Sequence, residues 1–368
     1  MKLKQIITCL IIGAAISIMA FQQKPGFVIE GYVDEPKEGT MLLITQNAKD
    51  TFAKAPIVDG HFRLTGSVDS IVEAALIPEG SKMGALPFFL ENSENKFEVY
   101  YNRTNNVLAC QVTGGGVQDI AAKFYSLSLA FRVKMDAVAK DVYRAQQEGT
   151  PEDVERAARR YGQLKIQARR GEDSLLNVYK DSYIAAYLLF TRSRQDIDLL
   201  REESRMLGPN AWNTTYGRYI KSMLTQAEKL KTGETAPDFF AYKSDGESVS
   251  LYDIKGKVKL LYFWASWNGN CQKEDSKLLK LYEKFHDKGL EIVGFSVDSN
   301  EKKWAEALER ERFPWIQLID RKNQGKAADL YVVTSVPNIW VLDGDNKIIG
   351  RNLQDEVLWS ELEKRLGK

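Results

Sequence analysis

Leu261-Tyr262-Phe263-Trp264-Ala265-Ser266-Trp267-Asn268-Gly269-Asn270-Cys271-Gln272-Lys273-Glu274 is the stretch that decides the fold of the last third of the chain. It opens inside the run Val258–Trp264, which is apolar at nearly every position, the pattern of a strand buried on both faces. Asn268 then stands where a helix begins, because its side-chain oxygen can accept a backbone N–H of the first turn. The helix is expected over Asn268–His286. Downstream, the pattern predicts strands at Leu290–Val297 and Trp315–Ile319, with a helix at Lys302–Arg312 between them. A short helix at Gln324–Tyr331 follows. Strands at Ile339–Leu342 and Lys347–Gly350 flank the turn Asp343-Gly344-Asp345-Asn346, and Glu356–Leu366 closes as a helix. Strands alternating with helices predict an α/β sheet covered on both faces, with a late antiparallel edge.

Upstream of the linker Lys231-Thr232-Gly233-Glu234 the character changes twice. Residues 26–113 carry short strand-like runs: Phe27–Val33, Gly39–Ile44, Val72–Ile77, Pro87–Leu90, Lys96–Tyr101 and Val107–Val112. Asp59-Gly60, between Pro56-Ile57-Val58 and His61-Phe62-Arg63-Leu64, signals a hairpin, since Asp-Gly supplies the positive φ angles of a tight turn. These runs predict a β-sandwich or barrel. Gly114-Gly115-Gly116 reads as a flexible joint; it lacks the flanking residues of a phosphate loop. Residues 117–230 read as a helical segment. Thr150-Pro151-Glu152-Asp153 combines a capping threonine, a first-turn proline and acids at the positive end of a helix. Asp181 or Ser182 caps the next helix, whose Tyr183, Ile184, Tyr187 and Leu188 form one apolar face, read as core. Gly208-Pro209-Asn210 separates two more helices. No catalytic constellation is visible in this segment.

The whole chain has 368 residues, 51 Lys plus Arg against 50 Asp plus Glu, and three cysteines. The balance gives no pull towards nucleic acid or an acidic membrane surface. His61 and His286 are far apart, so neither a histidine-based metal site nor a Ser-His-Asp triad is expected, and no cofactor is implied. Lys2 and Lys4 precede an apolar run, Ile6–Ala20, which reads as a secretory signal peptide over residues 1–20, cleaved after Ala20. An uncleaved anchor is the other reading. A lipoprotein signal at Cys9 fits poorly, because most of the apolar run follows it. Residues 21–25 are a short linker. The protein is thus expected to be exported, to the periplasm or cell envelope. Cys110 reads as an apolar filler in a strand, which leaves Cys271 as the thiol of interest.

Ala236-Pro237-Asp238-Phe239, Ser250-Leu251-Tyr252-Asp253-Ile254-Lys255-Gly256-Lys257 and the opening stretch together resemble the TlpA/ResA-like envelope thiol-disulfide oxidoreductases, filed with the AhpC/TSA group. Ser335-Val336-Pro337 resembles that family's cis-proline signature, and Leu342-Asp343-Gly344-Asp345 its following hairpin. The resemblance covers residues 233–368 and implies a thioredoxin-like α/β fold. The β-rich region is similar to a domain of unknown function that precedes thioredoxin-like domains in envelope proteins. The expected architecture is therefore multidomain: an N-terminal β-sandwich or barrel, a helical middle segment and a C-terminal thioredoxin-like domain.

The family's motif is Trp-Cys-x-x-Cys at a helix start. A thiolate stabilised by the helix N-terminus attacks the substrate disulfide, and the second thiol resolves the mixed disulfide. Here Asn268 stands at the attacking position and only Cys271, at the resolving position, remains. Asn270 replaces a frequent proline, Asp275-Ser276 lies where the family commonly breaks its helix, and Tyr262 occupies the place of a buried acid in thioredoxins proper. Peroxiredoxin chemistry fits less well, since Trp264 and Asn268 hold the positions of its proline and threonine or serine. The resemblance implies a peptide groove at Trp267, Asn268, Val336 and Pro337, where an extended peptide or an envelope protein would pair with the Val336 backbone. Three functions stand open: a binding or scaffold module unable to run a dithiol cycle, a single-thiol oxidoreductase using Cys271, and a structural envelope protein whose N-terminal domains bind the partner.

Overall fold

Strand alternation builds the first half of the molecule. In this computed structural model, which describes residues 26–45, 51–81, 84–104, 107–321, 326–353 and 355–367, eight strands run from β1 (Phe27–Val33) through β2 (Gly39–Thr45), β3 (Thr51–Ile57), β4 (His61–Gly66), β5 (Val72–Pro78), β6 (Leu86–Leu90) and β7 (Phe97–Thr104) to β8 (Val107–Thr113). The signal peptide and the 21–25 linker lie outside the described residues. The strands form two four-stranded sheets, ordered β4-β1-β7-β8 and β3-β2-β5-β6. Phe27, Ile29, Phe62, Leu64, Phe97 and Val99 from one sheet share a core with Met41, Leu43, Leu76 and Phe88 from the other, so the domain is a sandwich.

Two local expectations change. Asp59 and Gly60 do take positive φ, 52° and 82°, but the turn they make is not a hairpin within one sheet. Only Val58 and His61 bridge across it, after which β3 and β4 diverge into opposite sheets. A Cβ on Gly60 would lie 2.6 Å from the Val33 carbonyl oxygen, so the crossover requires glycine. Gly114-Gly115-Gly116 is a packed corner and not a loose joint. Gly114 (φ 93°) and Gly115 (φ 71°) bring the chain against Lys96 and Phe97. The Glu91 carboxylate accepts from the Val117 N–H at 2.7 Å, and Asp119 accepts from the Gly114 N–H at 2.8 Å.

Helix α1 (Gly116–Glu148) folds back on α2 (Pro151–Val178). Thr150 starts α2 with a reciprocal capping box to Asp153. The chain divides into two units, one ending at Tyr179 and the other beginning at Lys180. The division falls inside the helical stretch: α3 (Tyr183–Ser193), α4 (Ile197–Glu203), α5 (Pro209–Trp212) and α6 (Thr215–Glu228) belong with the C-terminal sheet. Ser182 caps α3 by accepting from the Ala185 N–H, while Asp181 accepts from the Asn210 N–H. Tyr183, Tyr187 and Phe190 gather round Tyr216 as packed aromatics.

The second unit carries a seven-stranded sheet, ordered β10-β9-β13-β12-β11-β14-β15. Its strands are β9 (Phe240–Tyr242), β10 (Ser248–Ser250), β11 (Val258–Trp264), β12 (Leu290–Ser296), β13 (Ile316–Ile319), β14 (Asn338–Asp343) and β15 (Ile348–Arg351). The helices are α7 (Gly269–Phe285), α8 (Glu301–Glu311), α9 (Lys326–Leu330) and α10 (Asp355–Leu366). β11 is buried throughout. Its Val258, Leu260, Tyr262 and Trp264 face a core with α7, α8 and α10, and its Leu261 and Phe263 face a second core shared with Phe239, Tyr331 and Leu230. β11 runs parallel to β12 and antiparallel to β14. Strands β9 and β10 are three residues each, too short for alternation to announce them.

Arg312, exposed at the end of α8, takes φ 49°. An L side chain there is strained, whereas glycine is not. Arg312→Gly should therefore stabilise the protein by about 0.5–1 kcal/mol after the larger unfolded-state entropy of glycine is counted. A thermal midpoint raised by about 2 °C would register it; an unchanged or lower midpoint would contradict the strain argument.

Candidate functional site

The site begins where β11 ends. Asp298, 5% exposed, pins the turn after Trp264: it accepts from the Ser266 N–H at 2.9 Å, the Ser266 hydroxyl at 2.8 Å and the Ser296 hydroxyl at 2.7 Å. The Val297 N–H donates to the Trp264 carbonyl at 2.9 Å. The chain then turns into α7 with Asn268 as its cap. The Asn268 side-chain oxygen accepts from the Asn270 N–H at 2.9 Å. Its amide nitrogen points the other way and donates to the Val336 carbonyl at 3.0 Å. One side chain thus joins the helix start to the loop that carries the cis Val336–Pro337 bond.

That loop is held under strain at its root. Val332 takes φ 48°, an uncommon conformation for a β-branched residue. It persists because its N–H donates to the Asp329 carbonyl at 3.1 Å, the next N–H donates to Ala328 at 2.8 Å and the Val332 side chain is buried. Val336 is half-buried and packs against both cores of the unit. Trp267, by contrast, is 68% exposed. The structure therefore brings Asn268 and Val336 into contact, with Trp267 and Pro337 as their chain neighbours at one end of the sheet.

Cys271 lies apart from this surface. It is in the first turn of α7 but is 1% exposed, inside the core with Tyr262, Trp264 and Leu278. Its thiol is free. Burial pushes the thiol pKa up, the Ala265 backbone and the Tyr262 hydroxyl pull it down, and the Asp275 and Asp298 carboxylates push it up further. Loss of water outweighs the pull of the helix start towards a thiolate. Cys110 is placed only by backbone register, opposite Tyr101 in β7–β8; its expected role as a filler lies outside the described side chains.

Sequence reasoning gave Asp275 no role, and the structure buries it to 5% exposure. The Tyr262 hydroxyl, itself fully buried, donates to its carboxylate at 2.8 Å and approaches the Cys271 carbonyl at 3.3 Å. Burial raises the Asp275 carboxyl to about 6, against the lowering effect of the Tyr262 hydrogen bond, and Glu311 and Glu274 add to the rise. The Tyr262 hydroxyl is driven upward by burial and by Asp275. The signal was available: Asp275 is four residues after Cys271, and Cys271, Asp275, Leu278 and Phe285 form one buried stripe of α7.

Residues 232–351 match the AhpC/TSA family, and residues 27–121 match a domain of unknown function, DUF4369. The thiol-disulfide oxidoreductase ResA of Bacillus thuringiensis subsp. konkukian is 30% identical over 144 residues, 39% of this chain and 82% of that protein. The thioredoxin-like protein YneN of Bacillus subtilis is 35% identical over 140 residues, 38% of this chain and 78% of that protein. A crystal structure of the thioredoxin domain of a thiol-disulfide oxidoreductase from Bacteroides vulgatus is 36% identical, covering 37% of this chain and 99% of that one, with a TM-score of 0.35. The chain thus belongs, through its C-terminal domain, to the AhpC/TSA family among the thioredoxin-like thiol-disulfide oxidoreductases, with a DUF4369 domain ahead of it.

Proposed function

We propose that this chain is an exported thioredoxin-fold protein that does not run a dithiol cycle and whose C-terminal domain is retained to bind a partner. The observation that carries the reading is Asn268. It occupies the attacking position of the family motif, has no nucleophilic sulfur, and has both ends of its amide engaged in holding the site together. The remaining thiol supports the same reading. Cys271 is buried and its pKa is raised, so thiolate at neutral pH is scarce and shielded. Export rests on the basic and apolar leader; no helix among the described residues is long and apolar enough to cross a membrane. The partner is proposed to be an extended peptide or an envelope protein meeting Trp267, the most exposed aromatic of the site.

Asn268→Cys tests the reading directly. The wild type is expected to be inactive in dithiol-dependent insulin reduction. The variant is expected to form a reversible disulfide between the introduced thiol and Cys271 and to gain activity, while its reduced form loses about 1–2 kcal/mol with the cap and the Val336 bond. Wild-type activity that disappears in Cys271→Ser would overturn the proposal. So would alkylation of wild-type Cys271 at the rate of the denatured chain, which favours the single-thiol reading; we expect it to be about a hundredfold slower.

Asp275 supplies a pH test of the same buried cluster. Its folded pKa, about 6, is raised, so the neutral acid is the form that folding favours. Its contribution to stability is full below its ordinary carboxylate range and is lost as pH rises through about 6. Asp275→Asn keeps an acceptor for Tyr262 and removes the titration. In denaturant unfolding, the variant should gain on the wild type between pH 4 and 7 by up to about 3 kcal/mol. Parallel stability curves would show that Asp275 is not titrating in the fold.

A further inference from the structure

The outer face of sheet β4-β1-β7-β8 holds a shallow, open cleft of about 850 Å³. We propose that this cleft binds a neutral glycan, with sugar rings laid on its aromatic row and hydroxyls met by the polar row beside it.

Register sets out the two rows. Across the sheet, His61, Tyr32, Tyr100 and Gln111 lie side by side. The Tyr32 and Tyr100 rings are nearly parallel, 9° apart, with centroids at 6.0 Å, and the His61 ring is 5.1 Å from Tyr32. Outer faces of sandwiches are ordinarily polar; three adjacent rings here contribute nothing to the core beneath. Tyr100 remains 43% exposed. The three aromatic columns span two strand spacings, about 10 Å, the length of a disaccharide. Tyr32 is held in place by Lys37, whose ammonium sits 4.3 Å over the ring and donates to the hydroxyl.

The second row is Arg63, Glu30, Glu98 and Thr113. Arg63 and Lys96 bind the Glu30 carboxylate at 3.1 and 2.6 Å, which fixes three polar groups in position. Among the lining side chains two cations, Arg63 and Lys96, face two anions, Glu30 and Glu98, so this group offers donors and acceptors whose charges cancel. That balance disfavours nucleic acid and other polyions and suits hydroxyl groups. An extended peptide is also a poor fit, because β1 and β7 are interior strands with both edges paired and leave no edge to extend.

Calorimetry of the full chain against maltohexaose, cellohexaose and chitotetraose, with a heparin hexasaccharide and hexalysine as charged controls, tests the assignment. At least one neutral oligosaccharide should bind, with little salt dependence. Tyr100→Ala, at an exposed position, should weaken it about tenfold, and Glu98→Gln about threefold. The proposal falls if no neutral oligosaccharide binds at millimolar concentration, if binding is indifferent to both substitutions, or if only a charged control binds.

Discussion

The Asn268 amide is the joint on which the C-terminal site depends. A thioredoxin-like site needs two separate pieces of chain to meet at one end of a sheet: the start of a helix and the loop before a proline. Here a single planar amide accepts from the helix and donates to the loop, two neutral hydrogen bonds worth about 1 kcal/mol each. Cysteine cannot make that pair of bonds, and alanine makes neither. Asn268 thus ties the helix start to the loop.

The surroundings of Cys271 oppose a thiolate. A helix start favours a nearby anion by roughly 2 kcal/mol at best, whereas an ion moved into a core costs several. With Cys271 at 1% exposure the second effect wins, and two carboxylates push in the same direction. Tyr262 and Asp275 fit this pattern. Tyr262 on the strand and Asp275 on the facing helix are buried against each other. The cluster keeps polar groups satisfied without keeping an accessible thiolate.

Much of this was legible in the sequence, for physical reasons that also explain the gaps. β11 announced itself because a strand buried on both faces must be apolar at nearly every position, its one lysine, Lys259, being buried with its ammonium on the Ile254 carbonyl, and α7 because asparagine caps helices. Thr150 and Ser182 likewise marked helix starts that the structure bears out. Strands β9 and β10 are shorter than one alternation period repeated twice. Asp59-Gly60 encodes a tight turn but not whether the strands it joins stay in one sheet; that is decided by which core each side faces. The glycine triplet permits flexibility and equally permits close packing, and the neighbours Lys96, Phe97 and Glu91 choose the latter. Asp275 was legible in principle, since an acid in a buried stripe is a conflict that needs explanation, but only the tyrosine opposite explains it.

The helical stretch shows why a composition change is a poor guide to unit boundaries. Residues on both sides of Tyr179 are helical, yet α1 begins from a corner built on the sandwich, and α4, α6 and the turn at Leu230 deliver Ile197, Met223 and Leu230 to the core on one side of the C-terminal sheet. The Gln226 amide donates to the Leu330 carbonyl at 2.8 Å, close to strained Val332. The last helices of the segment thus buttress the loop that Asn268 ties down. A domain cut at the glycine of Lys231-Thr232-Gly233-Glu234 would keep every motif of the family and lose this support. The folded unit around Asn268 is accordingly larger than the stretch of sequence that matches the family.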